Sequence, residues 1–309
     1  MVLLGILVAL SLLTLATAYY CYCVGFYASR KEKPKTDEIE LPEGEIYEVY
    51  REDFARWARE VRAMSREEMD ITSFDGLRLH GRYYEYAPDA PIELMFHGYR
   101  GSAERDLSGG VQRCFALGRS ALIVDQRCSG ESQGHTITFG INEHKDCLTW
   151  VDFMLKRFGP DVKIYLTGIS MGAATVMMAA GKELPANVIG VIADCGYTSP
   201  KEIIQLVVKE KMGLPPALSY PFVKLGARIF GGFDLEETSP MEAMKTCRVP
   251  VFFVHGEGDD FVPCWMSRKL FDACQSPKYL FTVPEAGHGL AYPADPEGYL
   301  KAARTFFDT

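Results

Sequence analysis

The sequence has no basic field. Its 41 acidic residues outnumber 33 lysines and arginines, giving a net charge of -8 and a pI near 5.4, which excludes the electrostatic footprint that nucleic-acid binding requires. It also has no Cys-x-x-Cys pair. The nine cysteines, Cys21, Cys23, Cys114, Cys128, Cys147, Cys195, Cys247, Cys264 and Cys274, are scattered and odd in number. They suit reduced thiols in a reducing compartment better than a disulfide framework or a zinc site. Internal repeats and low-complexity tracts are absent too. What remains is ordinary globular composition, 48% hydrophobic and 24% charged over 309 residues, enough for one core of about 240 residues and an appendage.

The appendage is marked by a further absence, because Val2 to Ala28 contains no charged residue. Roughly 20 apolar residues cross a bilayer as a helix. Ala16-Thr17-Ala18 offers a cleavage site of the secretory type, but no Lys or Arg precedes the run and it continues to Phe26, so residues 1–28 are expected to be a retained single-pass anchor. Arg30, Lys31, Lys33 and Lys35 follow at once, and the positive-inside rule then places the rest of the chain in the cytoplasm. Residues 29–45 are expected to be a linker and 46–309 a domain, so that a chain beginning near Leu41 is soluble and active. Nothing in this reading accounts for the Tyr- and Cys-rich end of the apolar run.

Beyond the linker, Val49, Phe54, Trp57, Val61 and Met64 recur at helical spacing from Tyr47 to Met64, predicting an amphipathic helix docked on the domain. Two alternating runs, Met69 to Phe74 and Leu77 to Tyr86, meet at Asp75-Gly76 as a hairpin. Apolar strands are expected at 92–96, 121–124, 162–167, 188–193, 251–254 and 279–283, with helices between them and a closing helix over 295–307. That rhythm predicts an α/β fold with a mostly parallel eight-stranded sheet covered on both faces. Residues 199–248 break it, and they are expected to form a small helical lid between strands 6 and 7. Its Met212, Leu214, Leu218, Tyr220, Phe222 and Phe230 are candidate acyl-binding residues.

The organising stretch is Gly168-Ile169-Ser170-Met171-Gly172, which follows a strand and opens an Ala/Met-rich helix. Glycines two residues either side of a serine allow the sharp strand-to-helix turn that presents its hydroxyl. Such a serine needs a base, and the base needs an orienting carboxylate. His288, in Gly287-His288-Gly289 after the last strand, is the candidate base. Asp259 in His255-Gly256-Glu257-Gly258-Asp259 is the candidate acid, with Asp260 and Asp194 as competitors. The backbone N–H groups of Met171 and Tyr99 are candidate oxyanion donors, and His97 is expected to brace the Tyr99 loop by hydrogen bonds.

The motifs His97-Gly98-x-x-Gly101, Asp125-x-Arg127-x-x-Gly130-x-Ser132, Gly168-x-Ser170-x-Gly172, His255-Gly256-x-x-Asp259-x-x-Val262-Pro263 and Gly287-His288 resemble those of the α/β hydrolases. The chain is similar to bacterial membrane-anchored serine hydrolases of the Bem46-like type and to catalytic domains of the prolyl-oligopeptidase clan. The resemblance implies Ser170 as nucleophile, Asp259 as acid and His288 as base, with no metal or organic cofactor, and structural roles for Asp125 and Arg127. It implies a carboxylic ester substrate, small or lipid-like; a peptidase or amidase, or an inactive binding protein on the same scaffold, are the alternatives.

Overall fold

The computed structural model describes residues 1–28 and 39–308. Arg30, Lys31, Lys33 and Lys35, and most of the expected linker, lie outside the described residues. In chain order come α1 (Val2–Gly25), α2 (Glu45–Glu48), α3 (Arg51–Ala63), β1 (Glu67–Thr72), β2 (Arg78–Tyr84), β3 (Ile92–Phe96), α4 (Ala103–Ala116), β4 (Ser120–Asp125) and α5 (Glu143–Phe158). The second half runs β5 (Ile164–Ile169), α6 (Met171–Ala180), β6 (Val188–Asp194), α7 (Pro200–Glu210), α8 (Pro216–Ile229), α9 (Pro240–Thr246), β7 (Val251–Gly256), α10 (Trp265–Ala273), β8 (Lys278–Val283), α11 (Ala291–Ala294) and α12 (Pro296–Phe307).

The eight strands form one sheet in the order β1-β2-β4-β3-β5-β6-β7-β8. Strand β2 is antiparallel to β1 and β4, and every other pair is parallel. The hairpin forms where Asp75-Gly76 predicts it, with Gly76 at φ 90°, a conformation glycine adopts without a Cβ penalty. All residues of β3, β4 and β7 are buried, because helices cover both faces and leave no water for an alternating pattern to meet. On one face lie Trp150 and Met154 of α5, Val176 and Met177 of α6, Met244 of α9 and Leu270 of α10. On the other lie Val61 of α3, Leu107 and Val111 of α4, Ala291 of α11 and Tyr299 of α12.

The segment expected to be one helix over Tyr47–Met64 is two, broken at Val49–Tyr50. Val49 is 82% exposed, a correction to its place on the docking face. The remainder docks on the domain as expected, with Ala58 and Val61 buried and Arg62 bonded to Glu104 of α4 at 2.9 Å.

The 199–248 insertion is helical, but α9 belongs to the main core, so α7 and α8 alone form the projecting part. They share an apolar cluster with Tyr22 and Phe26, so the end of the apolar run is built into the domain. Ala18, Tyr22 and Phe26 are buried. Gly226 of α8 touches α1 so closely that a Cβ there would stand 2.3 Å from the Ala18 carbonyl oxygen. Phe26 meets Phe139 and Phe233 edge-on, at 5.7 and 5.3 Å between ring centres, and its carbonyl accepts a hydrogen bond from the Ile137 N–H at 2.8 Å. A chain beginning near Leu41 therefore leaves the lid without part of its core.

The consequence is measurable without truncation. Phe26→Ala should destabilise the detergent-solubilised chain by about 3–5 kcal/mol through the cavity it leaves, as read by chemical denaturation. Leu10→Ala, on an exposed part of α1, should change stability little. Equal effects would show that the end of α1 contributes nothing to the domain.

Candidate active site

The loops at the C-terminal ends of β3, β5, β7 and β8 meet over the sheet, where parallel α/β sheets place their sites. Ser170 sits between β5 and α6 at φ 56°, ψ -116°, in the left-handed half of backbone space where a non-glycine residue is strained. Two glycines make the turn possible. A Cβ on Gly168 would lie 2.1 Å from backbone atoms of Gly172, and one on Gly172 would lie 2.0 Å from the Phe96 carbonyl oxygen.

The strain delivers the hydroxyl to His288, whose Nε2 lies 2.9 Å from Ser170 Oγ. Its Nδ1 lies 2.7 Å from Asp259 Oδ2. A carboxylate accepts the Nδ1 proton, so Nε2 is left as the acceptor facing the serine. The three residues, 118 and 29 positions apart in the chain, are thus one hydrogen-bonded line. Asp259 Oδ1 also accepts from the N–H groups of Phe261 (2.9 Å) and Val262 (2.8 Å). Burial opposes ionisation of Asp259, but hydrogen bonds from His255 and His288 outweigh it and hold the carboxyl well below the usual carboxylate range.

His255 supports this acid. Its Nε2 is 2.7 Å from the Val262 carbonyl oxygen and 3.3 Å from Asp259 Oδ2. A carbonyl can only accept, so Nε2 carries the proton and the Ser267 hydroxyl donates to Nδ1 across 2.6 Å. Neither competing acid bonds the His288 ring among the described residues: Asp260 is exposed and pairs with Lys211. Asp194 is buried, Oδ1 has no partner among the described residues, and burial pushes the carboxyl up to about 6. Its backbone carbonyl, not its side chain, bonds the Ser170 N–H at 2.8 Å.

The Tyr99 loop lies against the elbow. Gly98 approaches Ser170 so that a Cβ there would stand 3.6 Å from the serine Cβ, and the Gly98 N–H is already spent on Asp106 at 3.1 Å, leaving Tyr99 as the next donor along. Met171 opens α6, and first-turn N–H groups have no intrahelical acceptor. His97 braces this loop as expected. Its Nε2 accepts from the Gln126 N–H (3.0 Å) and its Nδ1 donates to the Gly98 carbonyl (2.8 Å), so neither nitrogen is available as a base. Asp125 and Arg127 hold loops: Asp125 accepts from the N–H groups of Ala103 and Glu131, while Arg127 binds Asp146 and Asp75.

Several neighbours of the site carried no sequence signal. The Tyr99 hydroxyl donates to the Gly25 carbonyl at 2.8 Å, and Arg100 donates to the Val24 carbonyl at 2.8 Å, so the loop beside Ser170 caps the C-terminal end of α1. The Tyr99 ring packs on Phe139 at 5.0 Å, and Tyr197 donates to the Phe139 carbonyl. Tyr47 of α2 donates to the His288 carbonyl at 3.1 Å. The Cys195 sulfur lies within 4.8 Å of the Asp259 and His288 ligating atoms, but burial, with help from Asp194, pushes its thiol well above the usual range, and a neutral thiol is a poor metal ligand. Phe261, two residues after Asp259, faces His288 at 5.2 Å and also lines a cleft of about 170 Å³ with Leu206, Val207 and Pro263. A larger cleft of about 430 Å³ lies around Gly181 and Thr246, at the far end of α6 from Ser170.

The lid residues singled out in the sequence are dispersed. Met212, Leu214, Leu218 and Phe230 are exposed, Phe222 is half-buried, and Tyr220 is buried with its hydroxyl on Glu236.

A sequence profile described as the alpha/beta hydrolase fold matches residues 94–223. The uncharacterised protein YqkD of Bacillus subtilis is 27% identical over 249 residues, 79% of this chain and 81% of that protein. Protein bem46 of Schizosaccharomyces pombe is 27% identical over 221 residues, 70% of this chain and 67% of the other. Among solved structures, the Pyrococcus furiosus esterase Pf2001 has a similar fold, with a TM-score of 0.65 at 19% identity, over 91% of this chain and 98% of that one. Strand order, profile and relatives agree: the chain has the α/β-hydrolase fold and is similar to the Bem46-like proteins.

Proposed function

We propose that this hydrolase is a membrane-anchored serine esterase that cleaves carboxylic esters through an acyl-enzyme. The observation that carries the reading is the line from Ser170 Oγ through His288 to Asp259, at 2.9 and 2.7 Å, with the serine held at the strained elbow. Ser170 Oγ attacks the ester carbonyl carbon while His288 Nε2 takes its proton. The oxyanion forms between the N–H groups of Met171 and Tyr99, and collapse expels the alcohol, which receives the proton from His288. A water activated by His288 then attacks the acyl-serine, releasing the carboxylic acid and restoring Ser170. Asp259 keeps the imidazole in the required tautomer throughout. No step in this cycle calls on a cofactor.

The anchor is α1, whose 24 residues have a mean hydropathy of 2.3 over the best window, and the basic residues after it favour a cytoplasmic hydrolase domain. The apolar surroundings of the site, Tyr99, Phe139, Met171 and Phe261, favour a substrate with an acyl chain over acetate. Each buried methylene contributes up to about 0.8 kcal/mol, so p-nitrophenyl butyrate to octanoate should give higher kcat/KM than the acetate. Equal or better acetate hydrolysis would overturn the chain-length preference. Efficient cleavage of aminoacyl anilides with negligible esterase activity would replace the esterase reading with a peptidase, and failure of a fluorophosphonate probe to label Ser170 would leave an inactive scaffold.

A further inference from the structure

Helix α1 is apolar throughout, but not all of it is free to meet lipid. Ala18 and Tyr22 are buried, Gly226 of α8 is packed between them, and Phe230, just past α8, packs its ring on Tyr19 and Tyr22 at 5.0 and 6.1 Å. The part of α1 before this contact, the 16 residues from Val2 to Thr17, is about 24 Å long at 1.5 Å per residue. A hydrocarbon core is about 30 Å thick. If α1 crosses a bilayer, the free part falls short, and the apolar layer must extend to the level at which α8 is docked.

The surface at that level is made for it. Ile229 is 52% exposed and Phe230 37%, beside Tyr19 at 54% and Tyr20 at 64%, which puts aromatic side chains where a membrane–water interface favours them. Arg228, the adjacent exposed cation, is bound to Asp234 at 2.9 Å, and its aliphatic stem can lie along the apolar surface with the guanidinium in water. The Tyr99 hydroxyl and the Arg100 guanidinium tie the end of α1 to the loop beside Ser170, so the level of the membrane is fixed relative to the active site.

We propose that the end of α8, Ile229 and Phe230 together with Tyr19 and Tyr20 of α1, is a lipid-docking surface that seats the lid in the interfacial layer of the leaflet next to the catalytic domain. The proposal rests on the anchor reading of α1. It makes the lid a fixed contact with the bilayer, so an ester carrying an acyl chain reaches the site from that leaflet.

The test uses the full chain reconstituted into phosphatidylcholine vesicles, with tryptophan introduced as Ile229→Trp or, just past the end of α6 farthest from Ser170, as Glu183→Trp, and with brominated acyl chains as quencher. Emission added by Ile229→Trp should fall about twofold in vesicles brominated near the headgroups, because an interfacial side chain lies ~5–10 Å below the surface. Emission added by Glu183→Trp should not change. Unquenched Ile229→Trp in protein that floats with the vesicles would overturn the docking surface, and protein that fails to float would overturn it together with the anchor. Hydrolysis of a p-nitrophenyl ester by the same vesicles is a separate readout. Quenching without hydrolysis would sink the esterase reading and leave the docking surface standing.

Discussion

Ser170→Ala is expected to abolish ester hydrolysis and leave the fold intact. Among the described residues the serine hydroxyl makes its hydrogen bond to His288 alone, and the backbone that holds the elbow is secured by the Ser170 N–H on the Asp194 carbonyl and by the close approach of Gly168 to Gly172. Removing the hydroxyl takes away the nucleophile without disturbing these contacts. His288→Ala should do the same from the other side of the bond, since a serine without a base is a weak nucleophile at neutral pH. Groups that act as a unit lose nearly everything with any one member, so each variant should fall on the order of 10⁴-fold or more in kcat. Circular dichroism and thermal unfolding should match the parent. Undiminished turnover by a folded Ser170→Ala protein would end the serine-hydrolase reading.

Asp259→Asn should lower turnover by about 10⁴-fold, the scale of the equivalent change in a serine-protease triad. Asparagine can present an N–H to His288 Nδ1, reversing the tautomer so that Nε2 carries a proton and cannot accept one from Ser170. The substitution also affects stability. A carboxyl whose folded pKa is depressed stabilises the fold above the ordinary carboxylate range, and the contribution is lost only as pH falls through the lower folded value. Asparagine lacks this contribution at neutral pH, so Asp259→Asn should also unfold at lower temperature, and turnover must be measured on the folded fraction. Asp194→Asn should stay near the parent in turnover, because Asp194 contributes its backbone carbonyl to the elbow. The reverse pattern, loss with Asp194→Asn and none with Asp259→Asn, would overturn the assignment of the acid.

What the sequence made legible was what its local pattern specifies. Strand positions follow from apolar runs bounded by turn residues, the hairpin from Asp75-Gly76, and the elbow from two glycines that leave room where any Cβ would collide. Ser170 and His288 stood out because each sits in a glycine-flanked motif at a strand end. The motif that ends in Val262-Pro263 favours Asp259 over Asp260 and Asp194 as the acid, and the fold supplies the physical reason, since of two adjacent loop residues only Asp259 faces the imidazole.

The lid and the appendage were not legible in the same way. Apolar residues at helical spacing predicted α7 and α8, but spacing does not say which neighbour an apolar face meets, so Met212, Leu214 and Leu218 could be placed against a substrate on paper and on the surface in the fold. Hydropathy marked Val2 to Ala28 as apolar throughout, since a side chain facing lipid and one facing a protein core obey the same rule of composition. Only the tertiary structure divides that run, leaving Val2 to Leu13 exposed and burying Ala18, Tyr22 and Phe26. The Tyr-rich end is there because Tyr22 and Phe26 pack among the aromatic rings beside the Tyr99 loop. Contacts between residues more than 70 positions apart, such as Tyr99 with Gly25, are set by how the elements pack, and no local window of sequence contains both partners.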